Sequence, residues 1–162
     1  MSLADIRTSL KYYYNSLKHG TYVAASPTEE TVEQIKKLQK RLNLKNPIPE
    51  DELHVTIMYS RRGSPDLTPS DTYKVANPST FKLYGENKNC LVLVLDSPDL
   101  EMRHAQLSQY GLAHSFDEYS PHITLTYDYQ GENFDDEFLY DGNGELILTL
   151  DFDKEYIEPL DD

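Results

Sequence analysis

The chain has 162 residues, 38% of them apolar, one cysteine and a formal charge of −13. That length suits a single domain over 1–162 with a real core, and neither a leader nor an apolar run of membrane-spanning length is visible, so a soluble cytoplasmic protein with no membrane partner is expected. The charge argues against long duplex nucleic acid, whose binding rests on phosphate neutralisation, and Cys90 has no second cysteine for a disulfide or a cysteine-based metal site.

Leu3, Ile6, Leu10, Tyr13, Tyr14 and Leu17 recur at spacings of three and four, which predicts an amphipathic helix over 3–18, stopped at Gly20. Thr21–Ala25 reads as a short strand. Ser26-Pro27-Thr28-Glu29-Glu30 has a hydroxyl cap and first-turn acids, the marks of a helix start. Val32, Ile35, Leu38 and Leu42 are the buried stripe of that helix, and Lys36, Lys37, Lys40 and Arg41 its solvated basic end. Asn46–Pro49 is a loop before a strand at 52–59, and Ser60–Pro65 is an exposed turn. Thr72–Ala76 and Thr80–Tyr84 are predicted strands separated by Asn77-Pro78. The apolar, β-branched run Asn89–Asp96 predicts a central strand, with Cys90 as a buried, unreactive thiol. A second long helix is expected over 99–111, with Leu100, Arg103/His104, Leu107 and Tyr110 as its stripe and Gly111 at its end. A strand at 120–127, a loop at 130–143, a last strand at 145–152 and an acidic tail at 153–162 complete the chain. Residues 128–162 hold 13 acidic side chains against Lys154 alone, whereas 1–127 hold 15 acidic and 14 basic ones. The acidity thus belongs to the last fifth and reads mainly as solvated surface.

Two of the predicted strands share a pattern: Leu53-His54-Val55-Thr56-Ile57 and Pro121-His122-Ile123-Thr124-Leu125. Alternate side chains of a strand share a face, so in each copy His and Thr project together while the apolar residues enter a core. Half-buried structural histidines are the plainer alternative, and the repeat in matching strand context disfavours it. Two histidines on one cleft can act as an acid/base pair, because neither form of an imidazole is rare at neutral pH. The threonine hydroxyls, on the same face, can donate to phosphate oxygens. His54, Thr56, His122 and Thr124 are therefore the candidate catalytic set, suited to a phosphodiester. Neither triplet carries a third ligand at zinc spacing, and no metal or cofactor is expected. His19, His104 and His114 are assigned no site.

The paired His-x-Thr strands resemble the 2H phosphoesterase superfamily, which includes the LigT-like RNA ligases and 2′,3′-cyclic phosphodiesterases. Met102–Leu112, Phe116 and Tyr119-Ser120-Pro121-His122-Ile123-Thr124-Leu125 resemble that family's helix, glycine and Pro-His-apolar-Thr-Leu ending, and Thr21–Ala25 resembles its first strand. More narrowly, the small size, N-terminal helix, His19–Ala25 stretch and acidic C-terminal segment are similar to the bacteriophage anti-CBASS phosphodiesterases, which cleave the cyclic di- and trinucleotide messengers of a bacterial defence system. The resemblance implies an α+β, bilobal fold: two antiparallel sheets related by a pseudo-twofold axis, helices outside and a cleft between. It implies catalytic roles for the two His and two Thr, base stacking on Tyr22 and Tyr156, and a cyclic di- or trinucleotide, or another short oligonucleotide, as partner. For the acidic residues 153–162, a lid folded over the cleft and a disordered tail are the two alternatives. The absence of Trp and the presence of Tyr127, where many relatives carry a basic residue, depart from the family pattern. Hydrolysis of 2′–5′ oligoadenylate or RNA 2′,3′-cyclic ends, or nucleotide binding without turnover, are the alternatives. Which His is acid and which is base stays open at the level of sequence.

Overall fold

Thr28 and Ser97 start the two helices found among the described residues as side-chain caps. The Thr28 hydroxyl accepts from the Thr31 amide at 3.3 Å and the Ser97 hydroxyl from the Leu100 amide at 3.1 Å, satisfying donors that an uncapped helix leaves unpaired. The computed structural model describes residues 20–63, 67–115 and 118–160; the helix predicted over 3–18 lies outside them. The elements are β1 (Thr21–Pro27), α1 (Glu29–Arg41), β2 (Val55–Ser60), β3 (Lys74–Tyr84), β4 (Cys90–Asp96), α2 (Pro98–Gln109), β5 (His122–Thr126) and β6 (Leu150–Pro159), with short 3₁₀ turns at Glu50–Glu52 and Asp136–Leu139.

All strand pairs are antiparallel, as expected for this α+β class, and they run β6-β1-β2-β5-β4-β3 around a closed circuit. The circuit divides into two three-stranded halves. In one, β1 is central, and α1 links it to β2. In the other, β4 is central, and α2 links it to β5. The halves meet at two thin seams: one register pair, Val55 with Ile123, joins β2 to β5, and three pairs join β3 to β6. The expected two sheets are thus fused at both edges. Val23, Ala25, Val55, Ile57, Leu91, Leu93, Ile123, Leu125 and Phe152 are fully buried in the core.

Three sequence expectations are corrected. The two short strands around Asn77-Pro78 are one strand, β3, whose register shift between Pro78 and Thr80 absorbs the proline. The stretch 145–149 is not a strand, and Asp136–Leu139 forms a 3₁₀ turn that buries Leu139. The acidic segment from Asp153 is no lid: residues 150–159 form β6, paired with β1 along its length and with β3 at its start.

That segment escaped the reading because its charges look solvated. Glu155 is instead an inward residue. Its carboxylate accepts from Arg103 Nε and Nη2, both at 2.8 Å, and from the Ser70 amide at 2.6 Å. Lys74 Nζ lies 3.5 Å from the same carboxylate, with side-chain exposures of 3% for Lys74 and 0% for Glu155. Arg103 on α2, Lys74 on β3 and Glu155 on β6 are thereby tied together over the β3–β6 seam.

Gly20 stands where the ends of β2 and β6 converge. Its carbonyl accepts from the Leu160 amide at 2.9 Å, and a Cβ there would lie 2.2 Å from the Ser60 carbonyl oxygen and 2.9 Å from Arg61 Cα. Those neighbours are backbone and cannot swing aside. Gly20→Ala is expected to destabilise the fold by roughly 1–3 kcal/mol through overpacking. A urea midpoint equal to wild type would show that the approach is looser than this.

Candidate active site

Strict alternation along β2 would put Met58 on the face of Thr56. The register prevents it: Thr56 pairs with Ala24 and Met58 with Val23, so Ile57 is the extra residue of a β-bulge. Ile57 and Met58 both enter the core, and Tyr59 joins Thr56 on the outer face. β5 repeats the device. Thr124 pairs with Val92 and Thr126 with Leu91, so Leu125 is extra; Leu125 and Thr126 are both buried, and Tyr127 is exposed. The sequence repeat is therefore longer than the triplet, His-x-Thr-x-x-Tyr over 54–59 and again over 122–127. Two adjacent buried side chains after each Thr mark the bulge, and that was the available signal for Tyr59.

His54 stands just before β2 and His122 opens β5, both half-buried. Their rings are held in the same way. His54 Nδ1–H donates to the Glu52 carbonyl at 2.9 Å, and His122 Nδ1–H donates to the Ser120 carbonyl at 2.9 Å. A carbonyl oxygen only accepts, so both rings carry their proton on Nδ1 and leave Nε2 for chemistry. Burial pushes the His122 imidazole below the usual histidine range; the Ser120 hydrogen bond opposes this, and the charge of His54 adds to it. Tyr22 stands edge-on to His54 with centroids 6.3 Å apart, and Tyr84 edge-on to His122 at 5.1 Å.

The structure brings the other expected residues to the same place. Tyr22 Oη lies 2.9 Å from Thr56 Oγ1. Tyr156 and Thr56 both pair with Ala24, from β6 and β2, so a small residue separates the two, and the rings of Tyr156 and Tyr22 lie 6.4 Å apart. Burial raises the Tyr156 phenol to about 12, so it stays neutral. Tyr156 thus reaches the site from a sheet strand. Cys90 is only half-buried, not fully in the core as expected, and hydrogen-bonds the Thr124 hydroxyl; burial raises its thiol, which keeps it protonated.

A cavity of about 390 Å³ crosses the β2–β5 seam, lined by Thr56 and His122 together with Tyr59, Tyr84, His114 and Tyr119. Sequence reading missed the last four. Among the described residues, no group of three or more His, Cys, Asp or Glu is placed to hold a metal ion, and no helix is long and apolar enough to cross a membrane. Paired imidazoles with free Nε2 atoms, flanking hydroxyls and aromatic walls are equipped for proton transfer on a small, flat-ringed phosphate ester.

Residues 19–162 match the family described as "Anti-CBASS protein Acb1". The chain is 36% identical over 148 residues to the Acb1 protein of Salmonella phage S16 and 35% identical over 148 residues to that of Enterobacteria phage T4, in both cases covering 91% of this chain and 92% of the relative. Among solved structures, Escherichia coli LigT complexed with phosphate is similar at 14% identity and a TM-score of 0.48, over 88% of this chain and 94% of that one.

Proposed function

The chain belongs to the Acb1 family of anti-CBASS proteins, and from that premise we propose that it is a phosphodiesterase that opens the 3′–5′ bonds of cyclic di- and trinucleotide messengers in the host bacterial cytoplasm. The observation that carries this reading is the matched pair of imidazoles, each fixed through Nδ1–H on a backbone carbonyl, which leaves Nε2 as the nitrogen that can exchange a proton with a substrate. A ribose 2′-hydroxyl beside the scissile phosphate is an internal nucleophile. One neutral imidazole takes its proton as the 2′-oxygen bonds to phosphorus; the other, as imidazolium, gives a proton to the departing 5′-oxygen, and a 2′,3′-cyclic phosphate results. Thr56 and Thr124 donate to the non-bridging oxygens, where charge builds up. Tyr22, Tyr156 and Tyr59 supply faces on which the bases stack.

The lowered basicity of His122 suits it to the base role, which leaves His54 as the acid. The sign of the pH dependence follows. A base must be neutral, so kcat/KM falls on the acid side only as pH drops through the His122 value, and that limb lies below the ordinary imidazole value of about 6.5. If His122 were the acid, its low value would instead remove activity as pH rises toward neutrality.

Incubation in EDTA with cyclic and linear oligonucleotides, with products read by mass, tests the proposal. The expected result is ring opening of the cyclic substrates, seen as the gain of one water after the cyclic phosphate is hydrolysed. Turnover of linear 2′–5′ or 2′,3′-cyclic substrates alone would reassign the substrate class, and tight binding with no product would leave a nucleotide-binding module.

A further inference from the structure

A β-bulge frees backbone groups that must find other partners. After Thr56, the carbonyl of the bulge residue Ile57 accepts from His104 Nδ1–H on α2 at 2.7 Å. The Thr56 carbonyl itself accepts from the Tyr119 hydroxyl at 2.9 Å, and the Tyr59 amide donates to His114 Nδ1 at 3.2 Å. His104 is stacked flat on Tyr119, with centroids 4.1 Å apart and planes 5° apart. After Thr124, the carbonyl of the bulge residue Leu125 accepts from Gln39 Nε2 on α1 at 3.0 Å and from the Ile48 amide at 2.9 Å.

The two arrangements correspond, and they run crosswise. Helix α1 lies in the half that carries His54, yet its Gln39 holds the strand of His122. Helix α2 lies in the half that carries His122, yet its His104 holds the strand of His54. Each contact falls on the carbonyl directly after the threonine of the acid/base site. Gln39 is buried and His104 half-buried, so neither grip is a loose surface contact.

We propose that Gln39 and His104 are positioning residues, each locking the bulge that aims the neighbouring threonine and histidine, and each coupling one half's active strand to the other half's helix. This rests on the acid/base reading above for its effect on rate, though not for the lock itself. His104 thus acts through Ile57 and Thr56, which explains a polar residue on the inner side of α2 where a leucine would pack as well.

Three variants separate the possibilities. His104→Phe keeps a ring on Tyr119 and removes the donor. His104→Asn loses the ring and keeps a donor at the Nδ1 position. Gln39→Met keeps the shape and removes the donor. Misplacing a reacting group by a fraction of an ångström costs on the order of tenfold in rate or more, so His104→Phe and Gln39→Met are expected to lower kcat by about tenfold with KM little changed. His104→Asn recovers most of that loss. Amide exchange at 55–60 should accelerate in His104→Phe, and at 122–127 in Gln39→Met, with the opposite strand unaffected. Exchange needs no substrate, so it decides the lock even if the wild type turns over none of the oligonucleotides, an outcome that would sink only the enzymatic reading. Unchanged exchange in both strands overturns the proposal, as does a kcat that stays at wild type, or an Asn variant no better than Phe.

Discussion

His122→Asn is expected to lower kcat by about 10²–10⁴-fold, the usual contribution of a positioned acid or base, with little change in thermal stability. The substitution is chosen for what it keeps. An Asn amide can still donate to the Ser120 carbonyl from the place of Nδ1, where the histidine does so at 2.9 Å, and it fills much of the same space. It has no ionisable nitrogen where Nε2 stands. His54→Asn makes the same exchange against the Glu52 carbonyl and should cost a similar factor. The two losses should not add, because residues that act in one proton relay fail as a unit. Single-turnover rates on a cyclic dinucleotide, with melting temperatures alongside, check this. Wild-type kcat in either variant would remove the acid/base pair from the mechanism.

The second large effect is on stability. Glu155→Ala leaves Lys74 and Arg103 facing each other with side-chain exposures of 3% and 9% and no carboxylate between them. Breaking a buried ion pair from one side costs about 3–5 kcal/mol, because the remaining charge stays desolvated. For a chain of this length each kcal/mol is worth about 2–4 °C, so a fall of roughly 6–20 °C in melting temperature is expected. Glu155→Gln keeps the shape and an acceptor for Arg103 and should fall between wild type and Ala. Urea denaturation checks the order, and an Ala variant within 1 kcal/mol of wild type would mean that water reaches both cations. The cluster spans the β3–β6 seam, which has only three register pairs, so the loss should be felt there first, as faster exchange at 74–76 and 150–152.

The histidines and threonines of the site were legible because period-two alternation holds over the three residues from His to Thr. It fails immediately afterwards. Ile57-Met58 and Leu125-Thr126 are consecutive inward pairs, so any reading that carries alternation forward puts Tyr59 in the core. The two described helices were legible from their caps and most of their stripes; Arg103 falls on the buried stripe predicted for it, whereas Tyr110, predicted there too, sits exposed at the C-cap. What local sequence could not show was why a cation belongs there, since its partner Glu155 lies 52 residues away. The same distance hid β6: Asp153, Lys154 and Glu155 read as solvated tail until the register with β1 turns one of them inward. His104 and His114 looked idle because their partners are backbone groups of a bulge, and a bulge has no composition of its own.

The closed order of strands has a further consequence, for behaviour at high concentration. A sheet that ends exposes a row of unpaired amides and carbonyls, the template on which other chains add strands and aggregate. Here each of the six described strands has a neighbour on both sides, which confines open ladder to the stretches beyond the thin seams, and the chain carries a charge of −13, so copies repel one another. The thin seam beneath the candidate site therefore does two jobs: it sets the two histidine-bearing strands side by side, and it shortens the border along which other chains could add.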